Sequence, residues 1–310
     1  MKKEQTYHFT PKMKMAELLE SNPLLMGVML RMGLGFGFGE ESVEEVCKHR
    51  GVNTDTFLLI CNVYTIDGYL PSNETLKKVD IKDIVNYLHQ SHSYYTGEIL
   101  TELEAAIGKM TEHCDAARKK IIQGFFVAYK GEMYKHFQYE ENTVFPYVMA
   151  LLKHQDDEDF SIEQFEENHT NIDEKLGDLQ NIVMKYMPAD GDNMLIYNVL
   201  AILFTLQKDL ENHTSIEDNI LVPAVNKLES RIAPKTAASE GEELSAREKE
   251  ILVSVAKGML NKEIADQYNI SIYTVITHRK NITRKTGIKT VAGLTVYALL
   301  NNLIDVNAFE

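Results

Sequence analysis

His136-Phe137-Gln138-Tyr139-Glu140-Glu141-Asn142-Thr143-Val144-Phe145-Pro146 returns later in the chain as His213-Thr214-Ser215-Ile216-Glu217-Asp218-Asn219-Ile220-Leu221-Val222-Pro223. Both copies hold His, Glu four places on, an acidic residue, Asn, apolar residues and Pro at the same offsets. On a helix, a spacing of four puts two side chains on one face, about 5–6 Å apart at Cβ. A single His-x3-Glu pair is commonly a solvated face, but two copies with matching tails offer the two halves of a binuclear site. Each pair also continues an apolar stripe: Ile122, Phe126, Tyr129 and Met133 lead to His136 and Glu140, and Leu195, Val199, Ile202, Leu206 and Asp209 lead to His213 and Glu217. That period marks a core-facing helix face. A carboxylate there needs a charge partner or a metal.

Two more helices flank these. Asp80 opens one with the face Ile81, Ile84, Val85, Leu88, His92, Tyr95 and Ile99, and His89 stands beside Leu88. In the other, the stripe Ile162, Phe165, His169, Ile172, Leu176, Leu179 and Val183 replaces one apolar residue by His169. His89 precedes His136 by 47 residues and His169 precedes His213 by 44, so the halves correspond. Four such helices with short loops predict a bundle that builds a metal site from inward Glu and His. The expected donors are His89, His136, Glu140, His169, His213 and Glu217. Imidazole and carboxylate without thiolate suit iron or manganese. With both glutamates bridging and one oxo or hydroxo bridge, each metal has five ligands and one open position. His92 reads as packed, and His8, His49, His113 and His154 have no matching partners.

The motifs Leu88-His89, His136-x3-Glu140-Glu141-Asn142, Asn168-His169 and His213-x3-Glu217-Asp218-Asn219 resemble the hemerythrin-like domain of the RIC (repair of iron centres) family. The resemblance implies two non-heme iron ions held by those four His and two bridging Glu, with manganese and heme as alternatives. Residues 1–75 predict a small helical unit, with helices near Met15–Glu20 and Pro23–Met32, a glycine-rich turn from Gly33 to Gly39, and a capping box at Ser42-Val43-Glu44-Glu45. This unit resembles the same family's N-terminal domain, whose turn usually carries two adjacent cysteines. Gly37 and Phe38 stand there in this chain, and Cys47 reads as a packed helix residue.

After the bundle, expected over 80–230, residues 231–243 lose the periodicity and read as a linker. From 244 to 310 the pattern changes to short capped helices: Ser245-Ala246-Arg247-Glu248 opens one, Asn261 caps a second, and Ser271 caps a third that carries Arg279, Lys280, Arg284 and Lys285. A fourth runs over 290–301. Two short helices joined by a turn, the second basic, fit a helix-turn-helix reader of the major groove. Leu244-Ser245-x-Arg247-Glu248, Gly258-x-x-Asn261-Lys262-Glu263-Ile264-Ala265, Ser271-x-x-Thr274-Val275-x-x-His278-Arg279 and Lys285-x-Gly287 resemble the LuxR/NarL-type DNA-binding domain. The resemblance implies that Tyr273, Thr274, Thr277 and Lys280 face DNA, that Lys262 and Arg284 lie near phosphates, and that residues 290–301 pair two copies.

Charge divides along the same boundary. The chain carries 32 Lys+Arg against 46 Asp+Glu, a net of −14, whereas residues from Leu244 onward carry 9 against 6. An acidic body with a basic tail predicts that only the tail meets nucleic acid. Three widely spaced cysteines argue against a disulfide framework and for a cytoplasmic location. Neither an export signal nor a membrane span is expected. The expectation is an all-α regulator, a homodimer on double-stranded DNA, whose di-iron centre senses dioxygen, nitric oxide or redox state and takes a diatomic gas or peroxide as its ligand. The alternative is a repair or nitric-oxide-reducing di-iron protein with a DNA-binding tail, and enzymatic turnover is left open.

Overall fold

The computed structural model describes residues 9–153, 161–162, 165, 173–188, 191–232, 244–270, 272–288 and 290–304. Among them the secondary structure is helical, with one isolated antiparallel bridge between Lys14 and Ser42. By contact, Met1–Asp157 and Ile172–Val225 form one compact unit, and Glu158–Asn171 and Asn226–Glu310 form another. Residues of the expected 1–75 unit and of the bundle therefore share one body.

In that body α1 (Met15–Ser21), α2 (Leu25–Arg31), α3 (Val43–Arg50) and α4 (Thr54–Thr65) come first. Gly33, at φ +74°, turns the chain out of α2, in a left-handed conformation that residues with a Cβ avoid. The expected capping box forms, with the Ser42 amide donating to Glu45 Oε2 at 2.8 Å. Helix α4 buries Phe57, Leu58, Leu59, Ile60, Cys61, Val63 and Tyr64, nearly its whole circumference. Such a helix is stable only when surrounded. Cys47 is also buried, and burial pushes its thiol up to about 11.

The bundle follows as four rods. The first is α5 (Ile81–Tyr94), a π-turn (Tyr95–Ile99) and α6 (Leu100–Met110); the second is α7 (Ala116–Tyr139), a π-turn (Glu140–Val144) and α8 (Phe145–Leu151). The third is α9 (Asp173–Tyr186), and the fourth is α10 (Asn193–Ile216), a π-turn (Glu217–Leu221) and α11 (Val222–Ile232). Asp80 caps α5 by accepting from the Lys82 amide, and Asp192 caps α10. Tyr95, Leu103, Phe126, Tyr129, Met133, Leu176, Leu179, Val199, Leu203 and Leu206 belong to one buried core. The predicted stripes of the second and fourth rods meet there.

In the second unit α12 (Ala246–Ala256), α13 (Asn261–Tyr268), α14 (Ile272–Thr286) and α15 (Val291–Leu300) enclose Ile251, Leu252, Val255, Ile264, Val275, Ile282, Leu294 and Ala298. Ser245 caps α12 as expected, and its Glu248 partner also takes the Lys285 ammonium at 2.9 Å. Asn261 differs from the expectation. It is the first residue of α13 rather than its cap, and its Oδ1 accepts from Arg279 Nη1 at 2.7 Å, which joins α13 to α14. Ser271 lies outside the described residues.

Candidate metal centre

Both copies of the repeated motif turn into π-turns at the same offset, and each π-turn begins at the glutamate, Glu140 in one and Glu217 in the other. Wide turns of this kind recur at functional sites. They set two fully buried carboxylates, each against the histidine of its own motif. Glu140 Oε1 lies 3.0 Å from His136 Nε2, and its Oε2 lies 3.1 Å from His92 Nε2. Glu217 Oε1 lies 3.1 Å from His213 Nε2, and the Nε2 atoms of His92 and His213 are themselves 3.1 Å apart. His92, Glu140, His213 and Glu217 each offer an atom within 4.8 Å of all the others, and all four are buried.

The donor set fits a cation. Two carboxylates at 0 % exposure are costly in a protein interior unless positive charge meets them, and two imidazole nitrogens aim at the same point. Among the described residues, Glu141 completes the surroundings of one ligand, with its Oε1 2.7 Å from His92 Nδ1. A carboxylate behind a histidine fixes the tautomer that leaves Nε2 free to bind metal. Phe137 and Phe145 stack on the His92 ring at 4.2 and 5.4 Å and keep water from it.

The histidine of α5 that joins the cluster is His92. His89 stands half-exposed outside the cluster, with Nδ1 2.8 Å from Glu141 Oε2. Leu88, Ser91, His92 and Tyr95 are buried, and His89 falls about 100° past Leu88, onto the outer side. A sequence signal for His92 existed: it precedes His136 by 44 residues, the same interval that separates His169 from His213. His136, Glu140, His213 and Glu217 lie where the stripes put them, and His169 lies outside the described residues.

Burial alone would lower the His92 pKa, but the hydrogen bonds it donates to Glu140 and Glu141 carry it up to about 9. Burial likewise raises Glu141, and its bonds to His92 and His89 outweigh that and hold it below the usual carboxylate range. A raised histidine stabilises the fold fully below its unfolded value near 6.5 and loses that contribution as pH rises through about 9. Metal binding needs the same nitrogen deprotonated. The metal-free protein should therefore lose thermal stability between pH 6.5 and about 9, while apparent metal affinity rises over the same interval. Calorimetry of the metal-free protein and chelator competition check this; two flat profiles would contradict it.

On α14, Lys280 is exposed, and burial of part of its stem lowers its pKa. Lys262 on α13 is exposed as well. Thr274 and Thr277 are not open: they are 3 % and 5 % exposed. Val275 and Ile282 point into the domain core, and Thr277 lies about 200° around the helix from Val275. The side chains of Tyr273 and Arg284 lie outside the described residues.

Comparison with known proteins matches both regions. Residues 83–225 match the family described as hemerythrin HHE cation binding domain, and residues 242–298 match bacterial regulatory proteins of the luxR family. The response regulator protein VraR of Staphylococcus saprophyticus is 32 % identical over 127 residues, 40 % of this chain and 58 % of that protein. VraR of Staphylococcus epidermidis is 36 % identical over 100 residues, 32 % and 45 % of the two chains. The transcriptional regulatory protein MctR of Rhizobium johnstonii is 46 % identical over 62 residues, 20 % and 29 %. The chain spans about half the length of the VraR relatives it matches. No helix among the described residues is long and apolar enough to cross a membrane. The chain joins a hemerythrin HHE cation binding domain to a DNA-binding domain of the luxR regulatory family.

Proposed function

We propose that this protein is a transcription regulator that binds double-stranded DNA through residues 244–310 and senses dioxygen, nitric oxide or redox state through a non-heme di-iron centre in the bundle. The observation that carries the metal half is Glu140, whose two oxygens each face a different histidine, His92 and His136. That is the posture of a carboxylate shared between two cations. The proposed ligands are His92, His136, Glu140, His169, His213 and Glu217. Two iron ions would supply open coordination and a change of oxidation state. The chain's own residues hold the carboxylates dry, orient His92 through Glu141, and carry any shift along α5 and α10.

On the DNA side, Lys262 and Lys280 are open to phosphate, which positions a domain without reading sequence. Thr274 and Thr277 are buried, so base contact through them would need their side chains exposed. A change of metal state would regulate DNA binding through helix shifts, of which about 1–2 Å suffice for such switching. Ala292, Val296 and Leu300 lie one turn apart and exposed on α15, which supports a homodimer.

The test is fluorescence anisotropy on promoter fragments with the iron-loaded protein, before and after anaerobic nitric oxide. DNA affinity should change on exposure, with one stable adduct per site. Repeated nitric oxide consumption with release of product and no change in DNA affinity would replace the sensor by an enzyme.

A further inference from the structure

Helix α2 buries a cation beside its apolar face of Leu25, Val28 and Met29. Leu24, Met26 and Leu30 are 43 %, 41 % and 53 % exposed, yet the Arg31 side chain is 7 % exposed. Burying a guanidinium is costly unless it is paired and hydrogen-bonded. Arg31 Nη1 and Nη2 grip Asp209 Oδ2 and Oδ1, both at 2.9 Å, in the bidentate geometry that suits a carboxylate. Nη1 also donates to Ser91 Oγ at 3.3 Å and to the Tyr95 hydroxyl at 3.2 Å, and Nη2 donates to the Tyr64 hydroxyl at 3.1 Å. The rings of Tyr64, Tyr87, Tyr94 and Tyr95 surround the guanidinium carbon at 5.2–5.8 Å.

The far ends of these contacts converge on the cluster. Ser91 is the residue before His92. Asp209 sits one turn before His213 on the face that continues to Glu217. Tyr95 presses its ring edge-on against His213 at 5.6 Å and stacks on Phe137 at 5.8 Å, and Phe137 stacks on His92. One side chain of the N-terminal helices thus ties the two rods that bring His92 and His213 together.

We propose that Arg31 is a positioning residue for the metal centre, holding α5 and α10 at the spacing that points His92 and His213 at one ion. The N-terminal helices are then a working part of the site, and the inference rests on the metal reading above. Partners bonded directly to a ligand typically set metal affinity by about 10–100-fold, and Arg31 acts one contact further out, so its effect should lie near the lower end.

The experiment uses cobalt(II) with a competing chelator on the full chain. Arg31→Met with Asp209→Asn removes both charges together, which buried pairs tolerate far better than loss of one partner. This variant should keep a cooperative thermal transition without metal, bind cobalt about 10-fold more weakly, and show shifted ligand-field bands. Arg31→Lys keeps the ion pair but not the forked bonds to Ser91, Tyr95 and Tyr64, and it carries the test if the double variant does not fold. It should also bind more weakly with shifted bands, which a purely structural cation would not require. Parental affinity and spectrum in the folded variants would overturn the proposal. A parent chain that binds no cobalt would overturn the metal reading itself, a result distinct from the first.

Discussion

Substitution of Glu217 by glutamine should leave a folded protein that no longer holds metal. Glu217 is fully buried at the head of its π-turn, 3.1 Å from His213 Nε2, and within reach of the second buried carboxylate, Glu140. Glutamine keeps the shape and one acceptor oxygen but removes the charge and one donor. Loss of an outer partner costs roughly 100-fold in metal affinity at most, so loss of a ligand should exceed that. In the metal-free protein Glu217 and Glu140 repel one another, but Glu217 also helps hold His92 charged, so the two effects offset and the thermal midpoint should change little. Metal analysis of purified protein and scanning calorimetry of the chelated form give the two readouts. Full metal content in the variant would remove Glu217 from the ligand set.

Leu252→Ala should abolish DNA binding and spare the metal. Leu252 is fully buried in the core shared by α12, α14 and α15. Truncating a buried leucine to alanine costs about 2–5 kcal/mol. A core this small rarely supplies more than about 3–5 kcal/mol. The helix-turn-helix should therefore unfold largely or completely, while the bundle keeps its own core of Phe126, Leu203 and their neighbours. Anisotropy on DNA and metal content are measured on one sample. Retained DNA binding would mean that the domain draws stability from elsewhere, and lost metal would mean that the two halves do not fold separately.

Much of the architecture was legible because helix periodicity is local. The stripes ending in His136–Glu140 and in His213–Glu217 placed both carboxylates inside, and the caps at Ser42, Asp80 and Ser245 form as read. The choice between His89 and His92 was not so legible. Both fall within one turn of α5, and the side that faces inward depends on what the other rods press against it. The shared interval of 44 residues was the available clue, and the motif comparison pointed to the other histidine. Asp209 was read only as a member of the fourth rod's stripe, and the Arg31 that holds it is 178 residues away in sequence.

By itself the sequence determined the helical class, the repeated His–Glu chemistry and the helix-turn-helix, since each is written in spacings of three and four residues that any stable helix must obey. Tertiary structure decided which α5 histidine meets Glu140 and that Arg31 crosses into the bundle to hold Asp209. The physical reason is common to both: each depends on a surface brought up from a distant part of the chain, and burial by such a surface leaves no local period to read.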